Sequence, residues 1–350
     1  MQDAFPSDVG VAIVAHNNHK QLIPALASLD AAGCPHGVIV VVDVASTDGT
    51  GPWLREAYPG IRQITLAENN GPDPGRNAGV RDVPQPFVFL MDGDIQVQPL
   101  TIHRLRAAMA TDPAIKIGSP VVVHLNEPCT IQYAGGSLHY ICEAINPWHE
   151  RPLAERGTQL QDVNVAPTCG LLLDREAAID VGLFDERYFI GKEDGDFTHR
   201  VRLAGYRIAE PGDALVLHRS RPRGSWLFYY QIRNRWHFML KNYEWQTLLL
   251  ILPGLAIYEP LQLVVLHLKG HGRVYWRAVG GLLAMLPALR ADRALTRRIR
   301  KLRDRDLLTT GHLIVRDDLA STPLVRLGKG LFEGFLNRYW TLLTRTVLST

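Results

Sequence analysis

No C-x-x-C pair, no basic leader and no uninterrupted run of twenty apolar residues occur in this 350-residue sequence, and each absence removes a class of protein. Cys34, Cys129, Cys142 and Cys169 are widely spaced, which argues against a zinc ribbon or disulfide framework and for buried, reduced thiols. Residues 1–10 have neither a basic start nor an apolar core, so no signal peptide is expected and the chain is placed on the cytoplasmic side. "VAHNNHK" (14–20) contains no glycine, so the first strand-to-helix turn is not the phosphate-cradling loop a nucleotidyltransferase would use. Charge of one sign is lacking too. With 38 basic and 35 acidic residues, the net +3 is too mild for nucleic acid as the main partner.

What is present is a strand–helix alternation. "VGVAIVAH" (9–16), "GVIVVVDVAS" (37–46), "IRQITLAEN" (61–69) and "FVFLMD" (87–92) read as buried strands. Helices are expected at 20–30, stopped by Gly33, and at 49–58. This order predicts an α/β fold with a doubly wound, mainly parallel sheet, whose ligands lie beyond the carboxyl ends of the strands. The polar residues at those ends are His16 to Asn18, Asp43 to Asp48, Asn69 to Asn77 and Asp92 to Asp94.

Beyond about residue 225 the composition changes. "TLLLILPGLAIYEPLQLVVLHL" (247–268) is apolar but interrupted by Pro253, Glu259 and Pro260. Its clean part, 248–258, is shorter than the ~20 residues a bilayer requires. "AVGGLLAMLPAL" (278–289) follows, and "RADRALTRRIRKLRDRD" (290–306) places Leu295, Ile299 and Leu302 on one helical face among arginines. A basic amphipathic helix beside apolar segments points to membrane-surface attachment, with a helical subdomain packed on the sheet as the alternative.

Two acidic stretches carry chemistry. In "VVDVASTDGT" (41–50), cap chemistry explains Asp48 but not Asp43, an acid at the ligand edge able to accept a hydrogen bond from a uracil or thymine N–H. In "LMDGDIQVQP" (90–99) an apolar strand runs into Asp92-Gly93-Asp94, hard oxygen donors suited to Mg²⁺ or Mn²⁺. Further on, "KEDGDF" (192–197) sets Glu193, Asp194 and Asp196 at a helix start, with Phe197, Val201 and Ala204 as the apolar face and Gly205 as the stop. Capping accounts for Asp196 and partly for Asp194, and leaves Glu193 unexplained.

With "ENNGPDPGRNAGV" (68–80), "FDERYFIGKEDGDFTHRVRLAGYRI" (184–208) and "LVLHRS" (215–220), these stretches stand in an order that resembles family 2 glycosyltransferases of GT-A fold, over about residues 9–240. "HRSRPRGSWLFYYQIRNRWHFMLKN" (218–242) resembles the bacterial rhamnosyltransferase-like subset that extends polysaccharides or lipid-linked glycans. The resemblance implies a GT-A domain over 1–240 and a membrane-associating helical region over 241–350. It implies an inverting enzyme that uses a divalent cation and a UDP- or dTDP-type sugar, on a lipid-linked or cell-surface glycan at the inner membrane's cytoplasmic face.

Residue by residue, Asp43 would contact the donor base, Asp92 the ribose, and Asp94 the cation, with His218 a further ligand or else a partly buried strand histidine. Arg76 would lie near the diphosphate, a surface salt bridge being the alternative. The prolines of "GPDPG" would reshape its loop, and Asn77 would shape that loop as well. Asp194 would be the base that deprotonates the acceptor. Its helix dipole stabilises the carboxylate by roughly 0.3–1 kcal/mol, while Glu193 and Asp196 raise its basicity. Arg233 and Asn234 match an R-N pair without an assigned role. A catalytically silent nucleotide-sugar-binding member of the fold is the remaining alternative.

Overall fold

The computed structural model describes residues 4–219, 224–313 and 323–346, so residues 1–3 and Ser220 to Arg223 of the stretches quoted above lie outside it. The four N-terminal strands form at Val9–Ala15, Ile39–Val44, Arg62–Leu66 and Phe87–Asp92, within two or three residues of the expected bounds. They pair in parallel. Val9–Ala15 and Ile39–Val44 are buried at every position because helices cover both faces, hence their continuous apolar runs. Successive residues serve two cores: Val11 and Ile13 enter one, Ala12 and Val14 the other.

Beyond Phe87–Asp92 the sheet continues through Gly170–Asp174, Ile115–Gly118, Arg207–Pro211 and Leu160–Val163. Gly170–Asp174 runs antiparallel to its neighbours, giving the mainly parallel, mixed sheet of a GT-A domain. A second sheet, ordered Ile95–Val97, Leu215–His218, Val121–His124, Glu127–Tyr133, grows from the Asp92–Asp94 turn. Its register sets His218 opposite Ile95, one residue after Asp94.

The Asp73–Asp82 helix lies unusually close to the first two strands. A Cβ at Gly79 would come within 2.8 Å of the Ala12 side chain, and one at Gly75 within 2.8 Å of Val44. The prolines of "GPDPG" open this helix, with Pro74 in its first turn where the missing N–H costs nothing, rather than reshaping a loop.

The C-terminal half departs from expectation twice. Residues Trp245–Leu268 form one 24-residue helix that continues through Pro253 and Pro260. At ~1.5 Å per residue it is long and apolar enough to cross a bilayer, and 17% of its most apolar stretch is buried. Glu259 does not interrupt it, because its carboxylate turns inward to Arg235 and to Tyr275 Oη at 2.8 Å. The basic helix, in turn, is Leu289–Ile299 and ends there: Arg300 leaves helical geometry and its guanidinium bonds Asp304, Leu302 O and Asn242 O. Leu302 therefore lies off the helix. Leu295 packs over Gly182, and Ile299 against the core containing Phe197 and Val201. That apolar stripe is spent on the protein itself.

All four cysteines are free, but Cys129 is exposed, on the Glu127–Tyr133 strand, against the expectation of burial.

Valine at Gly79 inserts bulk where the helix touches the sheet. Gly79→Val is expected to lower the unfolding free energy by about 1–3 kcal/mol in urea denaturation.

Candidate active site

The carboxyl ends of the parallel strands are laced together by side chains. His16 Nδ1 bonds Val44 O at 2.6 Å, Asn69 Nδ2 reaches His16 Nε2 at 3.0 Å, and Asn17 Oδ1 accepts from Thr47 N–H at 2.7 Å. Asp43 is buried at the end of its strand and accepts from Ser46 N–H at 3.1 Å, which fixes the turn after it.

Arg76 is no surface residue. It is 4% exposed and faces three acids: Asp73 at 3.0 Å, Asp92 at 3.1 Å and Glu193 at 3.8 Å. Its Nη2 donates to both oxygens of Asp92. Burial lowers its affinity for a proton, but Asp92, Asp73 and Glu193 outweigh burial and hold it charged. Asp73 is fully buried, and burial pushes its carboxyl well above the usual range against the pull of Arg76. One residue on, Asn77 bonds Phe184 O and N–H, both at 2.9 Å, and Glu186 at 2.8 Å, so it shapes a loop from the far side of the domain.

The three acids of "KEDGDF" point three ways, as the ~100° step of a helix requires. The helix is Glu193–Leu203, and its N-cap, Lys192, is left-handed (φ 72°) with no side-chain cap bond. Glu193 is buried toward Arg76. Asp194 is half-buried and lines a cleft, with Oδ1 accepting from Gly195 N–H at 2.7 Å. Asp196 is not a cap. It is fully buried among Arg200 at 2.9 Å, Lys241 at 2.9 Å and Asn242 at 2.8 Å. Burial opposes its charge, but Lys241 and Arg200 prevail and hold the carboxyl below the usual carboxylate range.

That cleft has a volume of about 440 Å³, and Arg76, Asp92, Asp194 and His218 all line it. His218 Nε2 lies 4.0 Å from Asp94 Oδ1, and its Nδ1 is 2.9 Å from Gln132 Oε1. Since an amide oxygen only accepts, Nδ1 carries a proton, and this bond turns Nε2 toward Asp94. Cys169 also borders the cleft, but burial and the nearby Asp92 and Asp94 push its thiol up and leave it unreactive.

Gln132, Asp73 and Glu193 were missed or left unassigned by sequence reading. Asp73 alone had a visible signal, since it stands three positions before Arg76 on a helix. Arg233 and Asn234 now have partners: Arg233 Nη2 donates to Arg187 O and Tyr188 O, and Asn234 Nδ2 to Tyr188 O, Ile190 O and Gly191 O.

With this geometry in view, the comparisons can be read: residues 10–170 match the model of glycosyl transferase family 2. Residues 10–170 form a glycosyl transferase family 2 domain. It is 27% identical over 240 residues to the N-acetylglucosaminyl-diphospho-decaprenol L-rhamnosyltransferase of Mycobacterium tuberculosis, covering 62% of this chain and 76% of that one. Over 140 residues it is 32% identical to the succinoglycan biosynthesis protein ExoO of Rhizobium meliloti, covering 39% and 38%. Among solved structures it shares its fold with GalNAc-T7 with UDP, GalNAc and Mn²⁺, at TM-score 0.55 and 15% identity. That match covers 68% of the glycosyltransferase and 48% of the other chain. S. aureus TarS 1–349 in complex with UDP matches at TM-score 0.51 and 18% identity, covering 83% and 89%.

Removing the cation from a buried cluster leaves its acids uncompensated. Arg76→Met is expected to lower the unfolding free energy by about 3–5 kcal/mol in urea denaturation. Arg76→Lys keeps the charge without the fork and should recover only part of that loss.

Proposed function

We propose that this glycosyltransferase is divalent-cation-dependent and inverting. It moves a sugar from a UDP- or dTDP-type nucleotide sugar to a hydroxyl of a lipid-linked or cell-surface glycan, at the cytoplasmic face of the inner membrane. One observation carries the reading: Asp92, His218 and Asp194 share a single cleft, so a leaving-group site and a proton acceptor border the same space. The mycobacterial relative, whose name specifies a diphospho-decaprenol-linked acceptor and a rhamnosyl group, supports a lipid-linked acceptor and a deoxyhexose donor.

The donor set suits a hard cation. Asp94 and His218 offer one carboxylate oxygen and one neutral ring nitrogen 4.0 Å apart, and among the described residues no group of three acidic, histidine or cysteine side chains is gathered as a full cage. Such a site completes its coordination with substrate phosphates, as Mg²⁺ and Mn²⁺ sites commonly do. Bound there, the cation would stabilise charge on the departing diphosphate.

The protein's own residues do the rest. Asp43 sits at the base end of the donor site and Asp92 at the ribose. Arg76 holds Asp92 in place and offsets its negative charge beside the diphosphate. Asp194 takes the proton of the acceptor hydroxyl as that oxygen bonds the anomeric carbon and the bond to the diphosphate oxygen breaks. A single displacement of this kind inverts the anomeric centre.

Membrane attachment is assigned to the C-terminal helices rather than to the basic helix. Leu249, Leu252, Leu261, Val264 and Leu268 of Trp245–Leu268 are exposed, as are Trp276, Leu283, Leu331 and Leu342 on neighbouring helices. An apolar surface of this extent on three helices calls for a nonaqueous partner.

Asp194→Asn is expected to lower turnover by about 10²–10⁴-fold while nucleotide binding stays within twofold of wild type, and unchanged turnover would refute the base assignment. Asp94→Asn should weaken cation-dependent nucleotide binding. Gln132→Leu, which frees the His218 ring, should raise the Mn²⁺ concentration needed for that binding by about 10–100-fold in titration. Activity surviving in chelator rejects the metal role. In flotation with anionic liposomes the full chain should rise with the lipid, and a chain left in the soluble fraction rejects membrane contact.

A further inference from the structure

The segment that delivers Asp194 to the cleft has an unfavourable backbone. Phe189, Gly191 and Lys192 all have positive φ (61°, 81° and 72°), and two of the three are not glycine. Such conformations persist only where the surroundings over-determine them. Here the surroundings can be named. Asn234 is wholly buried on the Leu227–Asn242 helix, and its amide donates to Tyr188 O at 2.9 Å, Ile190 O at 3.0 Å and Gly191 O at 2.6 Å. Arg233 donates to Arg187 O at 2.8 Å and Tyr188 O at 3.0 Å, and its Nε bonds Asn234 Oδ1 at 2.9 Å, which orients the amide with its hydrogens toward the loop. Tyr230, one helical turn earlier, stacks on Phe189 with centroids 5.0 Å apart.

We infer that Asn234 and Arg233 are positioning residues for transfer: they hold the carbonyls of residues 187–191 so that the helix beginning at Glu193 presents Asp194 to the acceptor. Three carbonyls share the two hydrogens of one amide, and Tyr188 O accepts from Arg233 as well, so the pair serves backbone groups that the turn leaves without partners in a helix or strand. The loop does not lack other anchors. Lys192 bonds Glu143 at 2.6 Å, and Asp196 is locked by Lys241 and Asn242. Those anchors hold the side-chain end and the helix body, whereas the Arg233–Asn234 pair is what holds the backbone just before the base. Loss of the pair is therefore expected to misplace Asp194 without unfolding the domain.

This inference rests on Asp194 as the base, so the test separates the two. In the full chain, single-turnover transfer and nucleotide titration are measured for Asn234→Ala, Arg233→Gln, Asp194→Asn and the Asn234→Ala/Asp194→Asn double variant. Asn234→Ala and Arg233→Gln are expected to slow transfer by about 10–100-fold with nucleotide affinity within twofold, since a misplacement near 1 Å costs that much. Asn234→Ala should cost nothing further once Asp194 is Asn, because the two act as one unit. An equal loss in both backgrounds, with Asp194→Asn itself strongly impaired, overturns the positioning role and leaves the base in place. Wild-type transfer by Asp194→Asn overturns the base and the positioning role together. Should Asn234→Ala fail to bind nucleotide, Arg233→Gln decides: full-speed transfer there overturns the inference.

Discussion

The guanidinium of Arg76 is the contact on which the site depends. It forks to the Asp92 carboxylate at the end of a central strand, pairs with Asp73 one turn back on its own helix, and faces Glu193 at the start of the helix that carries Asp194. Three carboxylates this close together in a partly buried space would otherwise repel one another more strongly, and even beside Arg76 burial holds the Asp73 carboxyl well above the usual range. One buried cation lets all of them crowd in. Asp92 and the helix that carries Asp194 are thereby tied to a common point, and Gly75 and Gly79 let that point sit against the sheet.

A second buried charge cluster fixes the other side of the Glu193–Leu203 helix. Asp196 is held by Arg200 from its own helix and by Lys241 and Asn242 from Leu227–Asn242, while Lys241 also reaches Asp185 at 2.8 Å. The Leu227–Asn242 helix thus acts as a splint for the segment that carries Asp194: Arg233 and Asn234 hold its loop, Lys241 and Asn242 its helix. Its Arg235 pairs with Glu259 of the long apolar helix, so the surface we assign to the membrane and the loop before Asp194 are fastened to the same element.

Much of the sheet was legible because a parallel strand covered on both faces must be apolar at every position, and "VGVAIVA" and "IVVVDV" are. The acids at their ends were legible for the complementary reason: a carboxylate directly after such a run is costly unless something uses it. Reading failed where local rules were applied to residues with distant partners. Asp196 resembles a helix-start acid until Lys241, forty-five residues on, is found against it. Glu259 resembles a break in an apolar helix until Arg235 is placed beside it. The arginine-rich stripe of 290–299 resembles a lipid-binding face until the core under Ile299 is seen.

The sequence by itself determined the alternation of strands and helices and the residue types at the strand ends, because hydrophobic period and turn chemistry act over a few residues. Only the tertiary structure decided what each acid faces. The helix step sends Glu193, Asp194 and Asp196 in three directions, and what lies in each direction comes from segments up to 117 residues away in the chain. The register that sets His218 beside Asp94, and the Gln132 that turns its ring, arise in the same way, from strand pairings that bring together residues more than eighty positions apart.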